Sequence, residues 1–190
     1  MLASIVREHD LQTTVRLASY ADLFGGEPLL TFPYSDFGSP DDDIRVEVLV
    51  YPLLDCVALV TNGFSAGGRP RRELIQYCKH GRRADAHRLH AAAYDCVEVG
   101  RWLDFGSAIS LPYPSGSAWP HTVFLPPPVQ AHSDFEITVD GDPMKFLWHV
   151  PLSSSEFDYQ YDHGIPALLR GMSSVGLPWV FDEATRPVLR

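Results

Sequence analysis

The chain has 190 residues, 45% of them apolar, and carries a formal net charge of −9 from 15 basic and 24 acidic side chains. That is enough for one sizeable core and short for two, so a single domain over residues 1–190 is expected. The acidic balance disfavours nucleic acid and suits a cationic partner.

At the N-terminus, Arg7, Glu8, His9 and Asp10 interrupt the first apolar run before it could act as a signal-peptide core, so a cytoplasmic protein is expected. Asp10 is a capping residue for a helix over about 11–24, which Gly25-Gly26 stops. After the turn-rich SDFGSPDDD comes IRVEVLVYP, where Ile44, Val46, Val48 and Val50 alternate with Arg45 and Glu47 before both faces turn apolar. This predicts a strand, and the β-branched run CVALVT predicts a second. The apolar runs near 46–54 and 56–60 fall far short of the roughly 20 residues that span a bilayer, so membrane insertion is not expected. RRELIQYCK fits either a strand or a short helix.

From about Arg83 to Leu103 the residues Leu89, Ala92, Ala93, Cys96, Val99 and Leu103 lay one apolar stripe on a long helix, with Arg88, Asp95 and Arg101 on its other face. SLPYPSGSAWP reads as a surface loop. Strands follow in HTVFLPPPV, DFEITVDG and MKFLWHVPL, the last two joined by the turn signal DGDP. Ser153 stands three residues before Glu156, the spacing of a capping box that opens a helix, in which Phe157 and Tyr161 share one face as core candidates. Gly164 and Pro166, the latter at a first helical position, begin a final helix closed by Gly176. Strands in clusters with helices at the start, middle and end predict an α+β domain: a mixed, largely antiparallel central sheet with helices packed on it.

Four features bear on chemistry. Gly63-Phe64-Ser65-Ala66-Gly67 fits G-x-S-x-G, the turn that presents a nucleophilic serine, and a triad could draw on Asp134 with His149 or His163. Immediately after it, however, Gly68, Arg69 and Pro70 make a poor first helical turn, so a loop between strands is the expected reading. His87 and His90 are spaced for one helix face, but no further ligand completes a set, and neither metal nor cofactor is expected. The run Arg69, Arg71, Arg72, Lys79, Arg82, Arg83 and Arg88 lacks interleaved aromatics and reads as a solvated surface rather than a phosphate-binding stripe. Cys56, Cys78 and Cys96 are odd in number and form no C-x-x-C pair, which argues against a disulfide framework and for a reducing compartment.

Several segments together resemble the suppressor of fused family. They are the strand ending VEVLVYPLL, the stretch LVTNGFSAGGRPRREL, which is similar to the family's T-x-G-x-S loop and R-x-E-L strand, and above all FLWHVPLSSSEFDYQYDHGIPALL. The resemblance runs from about residue 20 to the C-terminus and places Ser65 in a strand-connecting loop. It implies a noncatalytic binding module. Animal members use such a domain, with a second one, to restrain a transcription-factor peptide, whereas bacterial single-domain relatives act as immunity proteins that neutralise toxin domains. A chain of this length holds one such domain, so the bacterial type is expected, with a serine hydrolase or a regulatory adaptor as alternatives. Steering of a basic toxin by an acidic face then points to Asp41, Asp42 and Asp43 and to Asp140 and Asp142 as partner-binding candidates.

Overall fold

The computed structural model describes residues 2–37, 45–64, 71–101, 103–111, 117–139, 141–175 and 179–186, with side chains from residue 12 onward. In chain order the elements are α1 (Leu2–Phe24), β1 (Leu30–Phe32), a 3-10 turn (Tyr34–Phe37), β2 (Glu47–Pro52), β3 (Val57–Asn62), β4 (Arg71–Cys78), α2 (Arg83–Glu98) and β5 (Ala108–Ser110). They continue with β6 (His121–Leu125), α3 (Gln130–Ser133), β7 (Ile137–Val139), β8 (Asp142–Leu152), α4 (Ser154–His163) and α5 (Ile165–Ser174).

The eight strands form one mixed sheet in the order β1-β2-β3-β4-β8-β6-β5, with β7 pairing the first residues of β8. Strands β1 to β4 are joined by successive antiparallel pairings. The β4–β8 pair is parallel, in register from Arg71↔Met144 to Ile75↔Trp148, while β6 runs antiparallel to β8 from His121↔Leu152 to Leu125↔Trp148.

Both faces of this sheet are covered, which is why β2 and β3 read as nearly continuous apolar runs. On one face Val48, Val50, Leu59, Leu74 and Leu147 pack against Leu89, Ala92, Ala93 and Cys96 of α2. On the other, Leu49, Tyr51, Val60, Ile75 and Phe146 meet Tyr20 and Phe24 of α1, while Val123, Leu125, Val150 and Leu152 meet Leu168 and Met172 of α5. Side chains alternate along each strand, so Val48 and Leu49 serve different layers. The three cysteines are free and buried. No helix among the described residues is long and apolar enough to cross a membrane.

Several sequence expectations change. The helix α1 starts at Leu2, so Asp10 lies within it rather than capping it; the segment from residue 2 holds no Gly or Pro to interrupt a helix. RRELIQYC is a strand. Arg88, expected on the solvent face of α2, is buried because its guanidinium meets Asp85 at 3.2 Å and Glu183 at 3.6 Å and lies over the Phe181 ring. Tyr161 is 83% exposed, while Phe157 and Tyr159 are partly buried beside Val123 and Val150 and Glu156 is the buried residue of α4. Pro166 takes the second helical position after Ile165, and Gly176 lies outside the described residues.

The Ser153–Glu156 capping box forms as its spacing predicts, Ser153 Oγ accepting from Glu156 N at 3.3 Å and Glu156 Oε2 from Ser153 N at 2.9 Å. The same Glu156 oxygen accepts from Arg186 Nη2 at 3.2 Å, both side chains being almost wholly buried. Removing the cap alone, Ser153→Ala, should cost about 1 kcal/mol of unfolding free energy. Arg186→Met strands a buried carboxylate and should cost about 3 kcal/mol or more. Urea denaturation reads both; equal losses would show that the Arg186 pair contributes nothing beyond its shape.

Candidate functional site

The G-x-S-x-G stretch begins where β3 ends. Ser65 and the candidate acids Asp41, Asp42, Asp43 and Asp140 lie outside the described residues, but the root of the loop is well defined. Glu73 of β4 is fully buried and accepts from Thr61 Oγ1 at 2.7 Å, Gly63 N at 3.1 Å and Phe64 N at 3.2 Å. Thr61 Oγ1 in turn accepts from Leu74 N at 2.7 Å. One carboxylate thus ties the loop's first residues to the strand that follows it, and charge-assisted bonds to backbone N–H are among the stronger kinds. Gly63 has φ +112°, and a Cβ there would sit 2.5 Å from the Arg45 carbonyl oxygen.

This geometry is unlike a nucleophile elbow, which joins a strand to a helix. Here the loop joins two antiparallel strands. His149, a potential triad member, has Nδ1 at 2.9 Å from Gln76 Oε1, and Asp134 is exposed at the end of α3. As expected, the stretch connects two strands, β3 and β4.

Asp142 opens β8 with its carboxylate 3.8 Å from Arg71 Nε. Within the basic run, Arg83 donates to the Asp36 carbonyl at 2.8 Å and Arg88 is buried. His87 is exposed while His90 is buried and stacked on Phe37 at 4.1 Å, and no group of three or more His, Cys, Asp or Glu side chains placed to hold a metal ion occurs among the described residues.

A partly open cleft lies elsewhere, at the end of the parallel seam. Pairing between β4 and β8 stops at Ile75↔Trp148. Beyond it Cys78 of β4 bridges to Phe181, with Phe181 N donating to Tyr77 O at 2.8 Å and Lys79 N to Phe181 O at 3.0 Å. The C-terminal segment takes over the edge of β4, and β8 runs on to Leu152 held by β6. Pro151 has no N–H to offer a neighbour, and its carbonyl accepts from Arg186 Nη1 instead. The strands part around a cleft of about 170 Å³ whose apolar walls are Trp148, Val150, Leu169, Met172, Trp179 and Phe181. Trp179 rests edge-on against Tyr77 at 5.0 Å yet stays 42% exposed, and Leu169 is 39% exposed.

His149 and Arg186 also line this cleft. Burial, with the Arg88 charge adding, pushes the His149 imidazole down to about 3, and burial pulls Arg186 down to about 10 against the opposing pull of Glu156, so the first is neutral and the second charged at pH 7. The Arg186 guanidinium stacks 4.4 Å over Trp119. Residues 179–186 carry no periodic pattern; the aromatic pair Trp179 and Phe181 before Arg186 was the available signal, and it passes unnoticed without the fold.

An eight-stranded mixed sheet with one parallel seam, helices on both faces and a C-terminal segment docked at the seam's end defines an α+β domain of the class to which the motifs pointed. The chain belongs to the suppressor of fused family, whose model, described as suppressor of fused protein (SUFU), matches residues 44–184. Among solved structures it is similar to a SUFU homologue from Neisseria gonorrhoeae FA 1090, with TM-score 0.71 and 13% identity over 97% of this chain and 98% of that one. It is also similar to a chain of the Sufu–Fu complex, with TM-score 0.61 and 14% identity over 84% and 83% of the two chains. Drosophila Suppressor of Fused matches with TM-score 0.62 and 13% identity over 82% of this chain and 45% of that chain. No curated protein matches the sequence significantly. At these identities the likeness is one of fold.

Gly63→Ala forces a side chain into a left-handed conformation against backbone, and should lower unfolding free energy by about 2–4 kcal/mol. Thermal unfolding checks this; a change of a few tenths would show that the loop root gives way freely.

A second expectation concerns acid. Burial lowers His90 and His132 to about 4 and His149 to about 3, whereas an unfolded chain titrates near 6.5. The unfolded state therefore binds more protons, so the stability from keeping these rings neutral is complete above about pH 6.5 and is lost as pH falls toward about 4. Urea midpoints should be level above pH 7 and decline below about 6.5; a midpoint that holds steady down to pH 5 contradicts the burial of these rings.

Proposed function

We propose that this chain is a noncatalytic protein-binding domain that neutralises a cationic toxin domain in the bacterial cytoplasm. Two observations support this reading: family membership, and a fold shared over 84% of the chain with a member of the Sufu–Fu complex, an assembly of two proteins by its name. The second carries it, because it joins this fold to a task of contact. The charge of −9 supports a basic partner, which long-range attraction draws into encounter faster than diffusion alone.

The acidic candidates Asp41, Asp42, Asp43, Asp140 and Asp142 form the proposed steering face. Of these Asp142 sits beside Arg71, which tempers its pull. Mixing the purified chain with the basic product of the adjacent gene should give a stable complex. Changing residues 41–43 to Ser should slow association about tenfold at low salt and flatten its salt dependence. Unchanged kinetics would remove these aspartates from the interface, and a failure of the wild-type pair to associate would remove the neutralising role. Ester hydrolysis that disappears in Ser65→Ala would overturn the noncatalytic reading.

A further inference from the structure

Asn62 is the only asparagine in the chain, and a glycine follows it. An asparagine before glycine is the dipeptide most open to attack from within: the next backbone nitrogen closes on the side-chain Cγ, and glycine has no Cβ to shield that nitrogen. The fold calls for both residues. Gly63 is required by its φ of +112° and by the Arg45 carbonyl oxygen, 2.5 Å from where a Cβ would stand. Asn62 is required by the two ends of its carboxamide: Oδ1 accepts from Arg16 Nε at 2.8 Å, and Nδ2 donates to Glu47 Oε2 at 3.3 Å. Accepting from a cation with one atom and donating to an anion with the other is what a side-chain amide supplies. A labile pair therefore stands at the root of the β3–β4 loop because the packing there demands it.

The closed structure blocks each step of that chemistry. Strand pairing with Glu47 holds Asn62 extended, whereas ring closure needs its backbone to rotate until Cγ meets the next nitrogen. The carboxamide is held at both ends and cannot swing. The Gly63 N–H donates to Glu73 Oε1 at 3.1 Å, so the proton that must leave is bound to a carboxylate, and the nitrogen would become anionic beside it. Asn62, Arg16 and Glu73 are all buried, which keeps away the water the reaction consumes.

We propose that Asn62 is a site of spontaneous covalent modification that reacts only while the loop root is open and then prevents it from closing as before. The Gly63 nitrogen, its proton lost to water, bonds to Asn62 Cγ; the Cγ–Nδ2 bond breaks, and ammonia leaves behind a five-membered imide. Water opens the imide at either carbonyl, giving aspartate or its β-linked isomer, so one water is consumed for each ammonia released. Aspartate replaces the donor to Glu47 by a like charge. The β-linked isomer lengthens the backbone by one atom and breaks the Glu47↔Asn62 register. The modified fraction thus accumulates with the time the root spends open. This site goes beyond the protein-binding role and does not rest on it.

The test incubates the full chain at pH 8, in buffer and in urea, and follows residue 62 by peptide mapping for the gain in mass as NH2 becomes OH. Conversion should proceed in urea and run about tenfold slower or more in buffer, where it waits on opening. Gly63→Ala, compared in urea where folding plays no part, should slow conversion several-fold because the methyl group crowds the attacking nitrogen. Glu73→Gln keeps the shape but removes the charge beside Gly63 N, and should raise the rate in buffer toward that in urea; should this variant misfold, the first two comparisons decide alone. Asn62→Asp should lower the urea midpoint of unfolding. Equal rates in buffer and urea, no conversion in urea, a Gly63→Ala rate in urea equal to wild type, or a folded Glu73→Gln chain that reacts no faster overturns the proposal. An Asn62→Asp midpoint equal to wild type overturns its claim that the modified root fails to close.

Discussion

The parallel register of β4 and β8 is the constraint on which the rest of the molecule depends. Strands β1 to β4 can pair by local turns, and β6 to β8 form a second set, but the two sets share a sheet only because residues 71–75 align with residues 144–148. Parallel strands cannot be joined by a tight turn, and the intervening chain accordingly supplies α2, which covers one face of the sheet it leaves and rejoins. A slip of one residue in this seam would turn Leu74, Leu147 and their neighbours to the wrong layer.

Buried charge is placed where this architecture changes direction. Glu73 holds the loop after β3, Glu156 caps α4 and receives Arg186, and Arg88 links α2 to the C-terminal segment through Glu183. Each carboxylate or guanidinium serves more than one backbone or side-chain group, which offsets the cost of removing it from water. These ties act as registration points: apolar packing alone would tolerate a shifted loop or helix, whereas a stranded charge would not. The polar groups at the seam's end belong to the same pattern, with the difference that His149 Nε2 and Arg186 Nε lack protein partners among the described residues.

Much of the fold was legible because it is written in short-range signals. Alternation marked β2, β-branched density marked β3, the turn signal DGDP marked the β7–β8 hairpin, and Ser153 with Glu156 marked the start of α4. What stayed hidden depends on distant matches. Periodicity sends Arg88 to solvent, because nothing nearby announces Asp85 as a buried partner or Glu183 and Phe181 arriving from the far end of the chain. The family motifs were readable as motifs, yet the cleft was not, since it exists only where two strands separate and Trp179 to Arg186 fill part of the gap. Of the acidic candidates, Asp142 alone lies among the described residues, with its carboxylate 3.8 Å from Arg71 Nε.

The sulfur chemistry of the molecule follows from the packing of its three cysteines. Burial raises the thiol pKa at Cys56, Cys78 and Cys96, so each is held in the protonated form that neither attacks a disulfide nor captures a soft metal. Oxidants and reductants therefore act on the unfolded chain, where all three sulfurs meet water, and barely on the native one. Thiol chemistry in this molecule is thus confined to states in which the packing around the sulfurs has opened.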